Sequence, residues 1–274
     1  QTPIDATLRL LERDGRAPDR AAATARLAAE PAGETAAWLR RESAAEIQSA
    51  YQAPPSGMIE MPRVVRDGTV VPADPLATLA RPDGWNQVPV LVGTNRDENK
   101  LFMFAEPALV RRILWLVPRL VDEASYRTNA EYLARMWKVI GADGPATAMA
   151  GSESRVFVYR FDWKDEPTIL GADLGVMLGA AHAFEIPFVF GHFDVGREGN
   201  VIYTSANEAG RMALSRAMMG YWAEFARTGA PARGPRGDLP AWEPWGVGRF
   251  LLLDSAAGGG VRMASGVETR ERVL

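Results

Sequence analysis

The segment at residues 88–93, VPVLVG, is the feature that most constrains the fold. A short Val-rich run with a proline near its start and a glycine at its close is typical of a strand buried on both faces, as in a parallel sheet. The residues that follow, TNRDENK at 94–100, are abruptly polar. In open α/β sheets the side chains that carry chemistry lie at the carboxyl ends of strands. We therefore predict an α/β fold with functional residues just after this strand.

Two further strands and one turn are predicted from local pattern. Residues 156–162 alternate and carry aromatic side chains, and residues 250–254 form a short apolar run. Between 57 and 75 the dipeptide Asp67-Gly68 is flanked by pairs of valines. That arrangement predicts a hairpin-type turn joining two extended segments.

Helices are predicted in three places. The first fifty residues, rich in Ala, Arg, Asp and Glu, favour short helices separated by prolines and by Gly33. Residues 105–150 contain large apolar side chains and are predicted to be mainly helical, including the run 113–117. Ser205 and Glu208 predict a capping box at the start of a helix that ends at Gly229.

Composition excludes several classes of protein and of site. The sequence has 274 residues, a formal net charge of −3 and no cysteine. A small negative net charge indicates no basic surface for binding nucleic acid or an anionic membrane. No apolar run is long enough for a transmembrane helix. Without cysteine there is no disulfide, no thiolate metal site and no cysteine nucleophile.

The second polar feature is His182, in the segment GAAHAFEIPFVFG at 179–191. Histidine exchanges protons near neutral pH, so a general acid-base role is one interpretation and a structural histidine is the other. Like Glu98, which follows the first strand, His182 is expected at the exit of a strand. A metal site from His182, Glu185, His192 and Asp194 is a further alternative. The spacing of these residues matches no common metal motif, so we expect no metal.

Several segments, taken in order, resemble one known family. VPVLVGTNRDENKLFMF at 88–104 is similar to the stretch around the catalytic glutamate of the type-B carboxylesterases, which include the cholinesterases, and 179–191 resembles their catalytic-histidine stretch. The segments at 36–47, 61–75, 156–163 and 221–245 agree in the same order. The resemblance implies an α/β-hydrolase fold, with this chain as the C-terminal part of a single domain over 1–274. Helical regions are then expected at about 1–56 and 105–150, and the sheet and catalytic loops at about 57–104 and 155–274.

The resemblance also implies roles for individual residues. Glu98 is the acid and His182 the base of a catalytic triad, with Asp97 as the rival acid. Asn99 stands where the family usually has glycine, a change that Asn tolerates better than most residues. Residues just after a catalytic strand often line a substrate pocket, so we expect that role for three apolar side chains: Leu101, Phe102 and Phe184. No cofactor is implied.

The third member of the triad is not in this sequence. The family's serine lies in a G-x-S-x-G turn, and no such motif occurs here. Ser255, in LDSAAG, is a faint echo of it, but it lacks both glycines and follows the histidine in the chain. The simplest expectation is an ester hydrolase whose serine comes from an N-terminal half, a separate chain or a further segment. The alternative is a non-catalytic adhesion or scaffold module of the same superfamily.

Overall fold

The computed structural model describes residues 3–51, 64–114, 117–153, 155–246 and 248–274. Within them the chain divides into two compact units, Gln1–Ala73 and Asp74–Leu274. The organisation of the whole chain as part of one hydrolase domain stays a prediction.

The first unit is helical, as the composition of the first fifty residues predicted, but Gly33 lies inside a helix and does not separate two of them. Its four helices are α1 (Pro3–Arg13), α2 (Arg20–Ala29), α3 (Ala32–Leu39) and α4 (Ala44–Ser49). Asp19 caps α2, and Ser43 and Glu46 form a capping box on α4. Leu10, Leu11 and Trp38 are buried in the small core of this unit.

The predicted strand pair around Asp67-Gly68 is wrong for the described part, residues 64–75, and residues 57–63 lie outside the described residues. The turn itself forms, with Gly68 at φ +75 and its amide bonded to the carbonyl of Val71. The Asp67 carboxylate accepts hydrogen bonds from the backbone amides of Thr69, Val70 and Val71. The side chain takes these donors, and Val64, Val65 and Val70 stay exposed. Residues 64–75 therefore form no strand ladder.

The second unit alternates helices and strands in chain order. Its first half contains α5 (Pro75–Leu79), β1 (Val90–Asn95), α6 (Lys100–Ala105), β2 (Val110–Ile113), β3 (Val117–Leu120), α7 (Glu123–Lys138), a π-helical turn (Val139–Asp143), α8 (Gly144–Ala150) and β4 (Val156–Phe161). The predicted helix over 113–117 is wrong for its described residues, because Ile113 ends β2, Val117 begins β3 and the two strands pair antiparallel; residues 115–116 lie outside the described residues.

The second half contains β5 (Thr168–Ile169), β6 (Ala172–Asp173), α9 (Leu174–Met177), α10 (Ile186–Phe190), α11 (Arg197–Ile202), a 3-10 turn (Ser205–Asn207), α12 (Glu208–Thr228), β7 (Arg249–Leu253), a second 3-10 turn (Ala256–Gly258), β8 (Arg262–Ser265) and α13 (Arg270–Val273). Gly229 ends α12 in the left-handed conformation, as predicted. The predicted capping box is wrong, because Ser205 lies in the 3-10 turn and Asn207 precedes the helix without a side-chain cap.

A four-stranded sheet in the order β1-β4-β7-β8 positions the candidate site. β1 pairs in parallel with β4, β4 pairs in parallel with β7, and β8 is antiparallel to β7. Alternate residues of β4 point to opposite faces. Phe157 and Phe161 enter a core cluster with Phe188 and Met218, whereas Val156 and Val158 enter a second cluster with Trp245. The sheet is therefore covered on both faces, which confirms the α/β class.

The parallel pairing of β1 with β4 is also what the valine-rich run predicted. Val90 and Val92 pack against one core cluster and Leu91 against the other. In the described residues β1 pairs with β4 alone, so it forms an edge of this sheet. No helix in the described part of the chain is long and apolar enough to cross a membrane.

Candidate active site

Glu98 lies in the turn that follows β1, and its carboxylate folds back onto the end of that strand. The side-chain oxygen Oε1 accepts hydrogen bonds from the Thr94 hydroxyl at 3.1 Å and from the Asn95 amide at 2.8 Å. The residue is only 5% exposed. These two donors hold Oε1 in place, and they thereby fix the orientation of the other carboxylate oxygen, Oε2.

His182 meets that second oxygen. Its Nδ1 lies 2.7 Å from Glu98 Oε2, and its backbone amide donates to the Glu98 carbonyl at 3.3 Å. An imidazole that donates from Nδ1 to a carboxylate carries its proton on Nδ1 and has a lone pair at Nε2. The imidazole side chain is 37% exposed, against 7% for the carboxylate. The pair thus combines a buried, fixed acceptor with an accessible base.

The prediction that His182 follows a strand is wrong. The residue lies in the loop between α9 and α10, and the apolar run after it, IPFVF, forms α10. Pro187 near the start of this five-residue helix and Gly191 at its end bound it at both sides. Ala183, directly after the histidine, has φ +67, a left-handed conformation that a residue with a Cβ adopts at a cost of about 1 kcal/mol.

Asp97, the rival acid, is directed away from the imidazole. Its carboxylate pairs with Arg96 at 2.5 Å and with Lys100 at 2.9 Å. Burial alone would raise the pKa of Asp97, but the charges of these two cations outweigh it, and the pKa is lowered from its ordinary value. Asp97 is therefore an ionised, fully paired carboxylate beside the site.

Aromatic rings flank the imidazole. The Phe102 ring centroid lies 5.5 Å from that of His182, and the Trp137 centroid lies 5.3 Å from it. The two flanking rings are themselves stacked at 6.4 Å. Phe102, a predicted pocket residue, is thus beside the histidine. Leu101 is half-buried on α6, and Phe184 packs against the core cluster around Phe188.

The other sequence candidates lie elsewhere or have other partners. Ser255 follows β7 and is buried, and its hydroxyl has no hydrogen-bond partner among the described residues. Glu185 accepts a hydrogen bond from the Asn95 amide group at 2.5 Å. His192 donates its backbone amide to Pro187. The described residues contain no cluster of three or more side chains suited to hold a metal ion.

Comparison with known proteins identifies the family. The family model described as "Carboxylesterase family" matches residues 107–249, just over half of the chain. The chain belongs to the carboxylesterase family. The matched region includes His182 and ends at the start of β7, whereas Glu98 lies nine residues before it. The resemblance read from the sequence segments is thereby confirmed.

Named relatives and solved structures agree with this membership. The chain is 36% identical to acetylcholinesterase of Electrophorus electricus over 107 residues, covering 39% of this chain and 15% of that protein. It is 29% identical to para-nitrobenzyl esterase of Bacillus subtilis (strain 168) over 178 residues, or 61% of this chain and 34% of that protein.

Two crystal structures show the fold. The Geobacillus stearothermophilus carboxylesterase EST55 superposes with a TM-score of 0.56 and 24% identity, covering 97% of this chain and 52% of that one. Aspergillus niger EstA superposes with a TM-score of 0.55 and 22% identity, covering 85% and 49%. The predicted α/β-hydrolase fold is confirmed. The chain spans about half the length of these esterases and about a third or less of the two relatives above.

Two residues of the candidate site were not predicted from the sequence. Trp137 lies on α7, and its position beside His182 depends on a contact across 45 residues of chain. Asn95 is the last residue of β1 and belongs to the polar stretch at 94–100, and its amide group donates to the carbonyl of Ala181 at 2.7 Å as well as to Glu185. The polarity of that stretch was the available signal for Asn95, and none was available for Trp137.

Proposed function

We propose that this chain supplies the acid and the base of a serine-dependent carboxylic ester hydrolase that uses a Ser-Glu-His triad. The observation that carries the proposal is the 2.7 Å contact between His182 Nδ1 and Glu98 Oε2, made by a buried carboxylate to a partly exposed imidazole. Membership of the carboxylesterase family supports the reaction class.

In the proposed mechanism Nε2 of His182 accepts the proton of a serine hydroxyl as that oxygen attacks the ester carbonyl. Glu98 holds the ring in the required tautomer and stabilises the imidazolium that forms. The imidazolium then returns its proton to the leaving alcohol, and a water molecule repeats the sequence to release the acid. Each step uses His182 as the only proton carrier, and no cofactor or metal is needed.

The nucleophilic serine and the oxyanion donors are proposed to come from an N-terminal portion of the same hydrolase, and the chain to be active only together with it. Three observations support this. The sequence lacks G-x-S-x-G, the chain spans about half the length of similar esterase structures, and β1 is a sheet edge in the described residues. An edge strand offers unpaired backbone donors and acceptors to a further strand. We expect that strand to dock along β1, which would bring its carboxyl end beside Glu98.

The substrate is proposed to be a small ester whose apolar group lies against the aromatic side of His182. Phe102 and Trp137 provide that surface in the described residues. Leu101 and Phe184 are proposed to extend it when the N-terminal portion is present. The stacked rings would exclude water from the reacting imidazole, which strengthens electrostatic stabilisation of the transition state.

Substitution of the two proposed triad residues tests the function. In the full-length protein His182→Ala should abolish turnover of a simple aryl ester while the far-UV circular dichroism spectrum stays unchanged. Glu98→Gln should lower kcat by several orders of magnitude, by analogy with the roughly 10⁴-fold loss when a triad carboxylate becomes an amide. Full activity of the His182→Ala variant would refute the assignment.

Covalent labelling separates the esterase from a non-catalytic adhesion or scaffold module. A fluorophosphonate reacts only with an activated serine, so the full-length protein should be labelled and the His182→Ala variant should not. A folded wild-type protein that is neither labelled nor active would favour the adhesion module.

A further inference from the structure

Asp97 does more than pair with its two neighbouring cations. Its backbone amide donates to the carbonyl of Ala180 at 3.0 Å, and its carboxylate oxygen Oδ2 accepts from the Ala180 amide at 3.2 Å. Asp97 therefore holds the same residue by both backbone groups. Ala180 lies two positions before His182, in the loop that carries the imidazole.

Further hydrogen bonds fix the alignment of the histidine loop with the end of β1 and the turn after it. Asn95 donates to the carbonyl of Ala181, and the carbonyl of Glu98 accepts from the amide of His182. Three residues in a row on the histidine loop are thus bonded to the last residue of β1 and to the turn that follows it. The side chains of Asn95 and Asp97 both bond to the backbone of this loop, and Asp97 is the charged one. The Glu98 side chain bonds to the imidazole instead.

Gly179 packs closely against the Asp97 carboxylate. Gly179 has φ +52, and a Cβ built on it would lie 2.5 Å from Asp97 Oδ2. Asp97 is 9% exposed, so its carboxylate is held inside the protein by Arg96 and Lys100. A buried carboxylate fixed by two cations is a rigid acceptor, since moving it would leave charges unpaired.

We propose that Asp97 is a positioning residue for the proton-transfer pair: its carboxylate fixes Ala180 and Gly179 so that His182 Nδ1 meets Glu98 Oε2. This inference rests on the proposed esterase function. It assigns different tasks to two adjacent carboxylates. Glu98 bonds to the imidazole, and Asp97 bonds to the backbone of the loop that presents it.

The test compares Asp97→Ala with Asp97→Asn in the full-length enzyme. Removing the acceptor should let the loop shift, and a displacement of about 1 Å can lower kcat roughly 100-fold. We expect that loss in Asp97→Ala, with KM within threefold of wild type and the acid limb of the kcat/KM profile moved to lower pH. Asp97→Asn retains an oxygen that accepts from the Ala180 amide, so its kcat should stay within tenfold of wild type.

A matched control is Asp162→Ala. Asp162 is also a buried aspartate paired with an arginine, Arg160, just after the neighbouring strand β4. The hydrogen bonds of its side chain in the described residues go to Arg160 and not to the histidine loop. The Asp162→Ala variant should have a lower free energy of unfolding, but the acid limb of its kcat/KM profile should stay where it is in wild type.

A structural readout keeps the positioning role separate from the esterase function. The proton between His182 and Glu98 should give a far-downfield NMR signal, identified by its loss in His182→Gln. We expect the signal to be lost in Asp97→Ala and retained in Asp97→Asn. If the wild type shows the signal but hydrolyses no ester, the proposed function fails, and the effect of Asp97→Ala on the signal still decides the positioning role.

Two outcomes would overturn the positioning role. One is a folded Asp97→Ala variant with kcat within threefold of wild type and an unchanged downfield signal. The other is an Asp97→Asn variant as inactive as Glu98→Gln, which would make the charge of Asp97 part of the chemistry. If Asp97→Ala does not fold, Gly179→Ala decides, because its Cβ meets Oδ2: retained kcat with the signal intact would refute the role, and loss of both would support it.

Discussion

Glu166 is a buried carboxyl group whose ionisation should make the protein's stability depend on pH. It is 7% exposed, and neither carboxylate oxygen has a hydrogen-bond partner in another described residue. Burial is the main reason that its pKa is raised from 4.5 to about 8. A hydrogen bond from its own backbone amide opposes the rise, the nearby Asp97 charge adds to it, and Arg96 and Lys100 oppose it. The folded protein therefore holds a proton on Glu166 that the unfolded chain has released at neutral pH.

The sign and size of the effect follow from linkage. Between pH 4.5 and about 8 the folded state binds one more proton than the unfolded state at this group, so its contribution to the free energy of unfolding falls as pH rises. Each unit of pKa difference corresponds to about 1.4 kcal/mol. The loss should reach on the order of 3 kcal/mol at pH 7 and about 5 kcal/mol at pH 9.

Glu166→Gln removes the ionisation and keeps the shape of the side chain. The variant should be about as stable as wild type at pH 5 and increasingly more stable at pH 7 and 8.5. Equilibrium urea unfolding followed by tryptophan fluorescence at the three pH values measures this difference. Glu131→Gln, at an exposed glutamate of α7, is the matched control and should show no trend with pH. A Glu166→Gln difference that is constant with pH, or that reverses sign, would refute the reasoning.

Three further substitutions have defined outcomes. Trp137→Ala should reduce kcat/KM for aryl esters by roughly two- to tenfold, the equivalent of about 0.5–1.5 kcal/mol for a lost ring contact with His182, while an unchanged kcat/KM would exclude Trp137 from the site. Lys138→Met should lower the free energy of unfolding by about 3–5 kcal/mol, because Lys138 is 2.5 Å from Asp143, which is fully buried; adding Asp143→Asn should restore part of the loss in the same denaturation assay. Ala183→Val should destabilise by about 1–2 kcal/mol because a β-branched residue suits φ +67 poorly, and an unaltered thermal midpoint would contradict this.

The outcome at Asp97 and Glu98 shows why the local pattern could not separate them. Both carboxylates lie in one polar turn, and sequence spacing does not determine which way each side chain points. The resemblance to the family indicated Glu98, and the structure supplies the physical reason. Asp97 is held by Arg96 and Lys100, whereas Glu98 is anchored to Thr94 and Asn95 with one oxygen directed at the imidazole.

Short apolar runs were the elements whose type the sequence could not determine. The run at 113–117 is apolar enough for a helix, but its first and last residues belong to β2 and β3, which pair with each other. Residues 186–190, a short apolar run for which no element was predicted, form α10, which packs against α12. A short apolar run fits either structure, and the partner that it packs against makes the choice.

The sequence by itself determined the parts of this protein that depend on neighbouring residues. The valine-rich strand β1, the polar turn after it and the glycine end of α12 all follow from local pattern, and the ordered segments indicated the family. Only the tertiary structure decided which groups meet at His182. Parallel pairing of β1 with β4 and the loop register at Ala180 bring Glu98 to the imidazole across 84 residues, and α7 brings Trp137 to its side. Such contacts depend on the path of the whole chain, which no local spacing encodes.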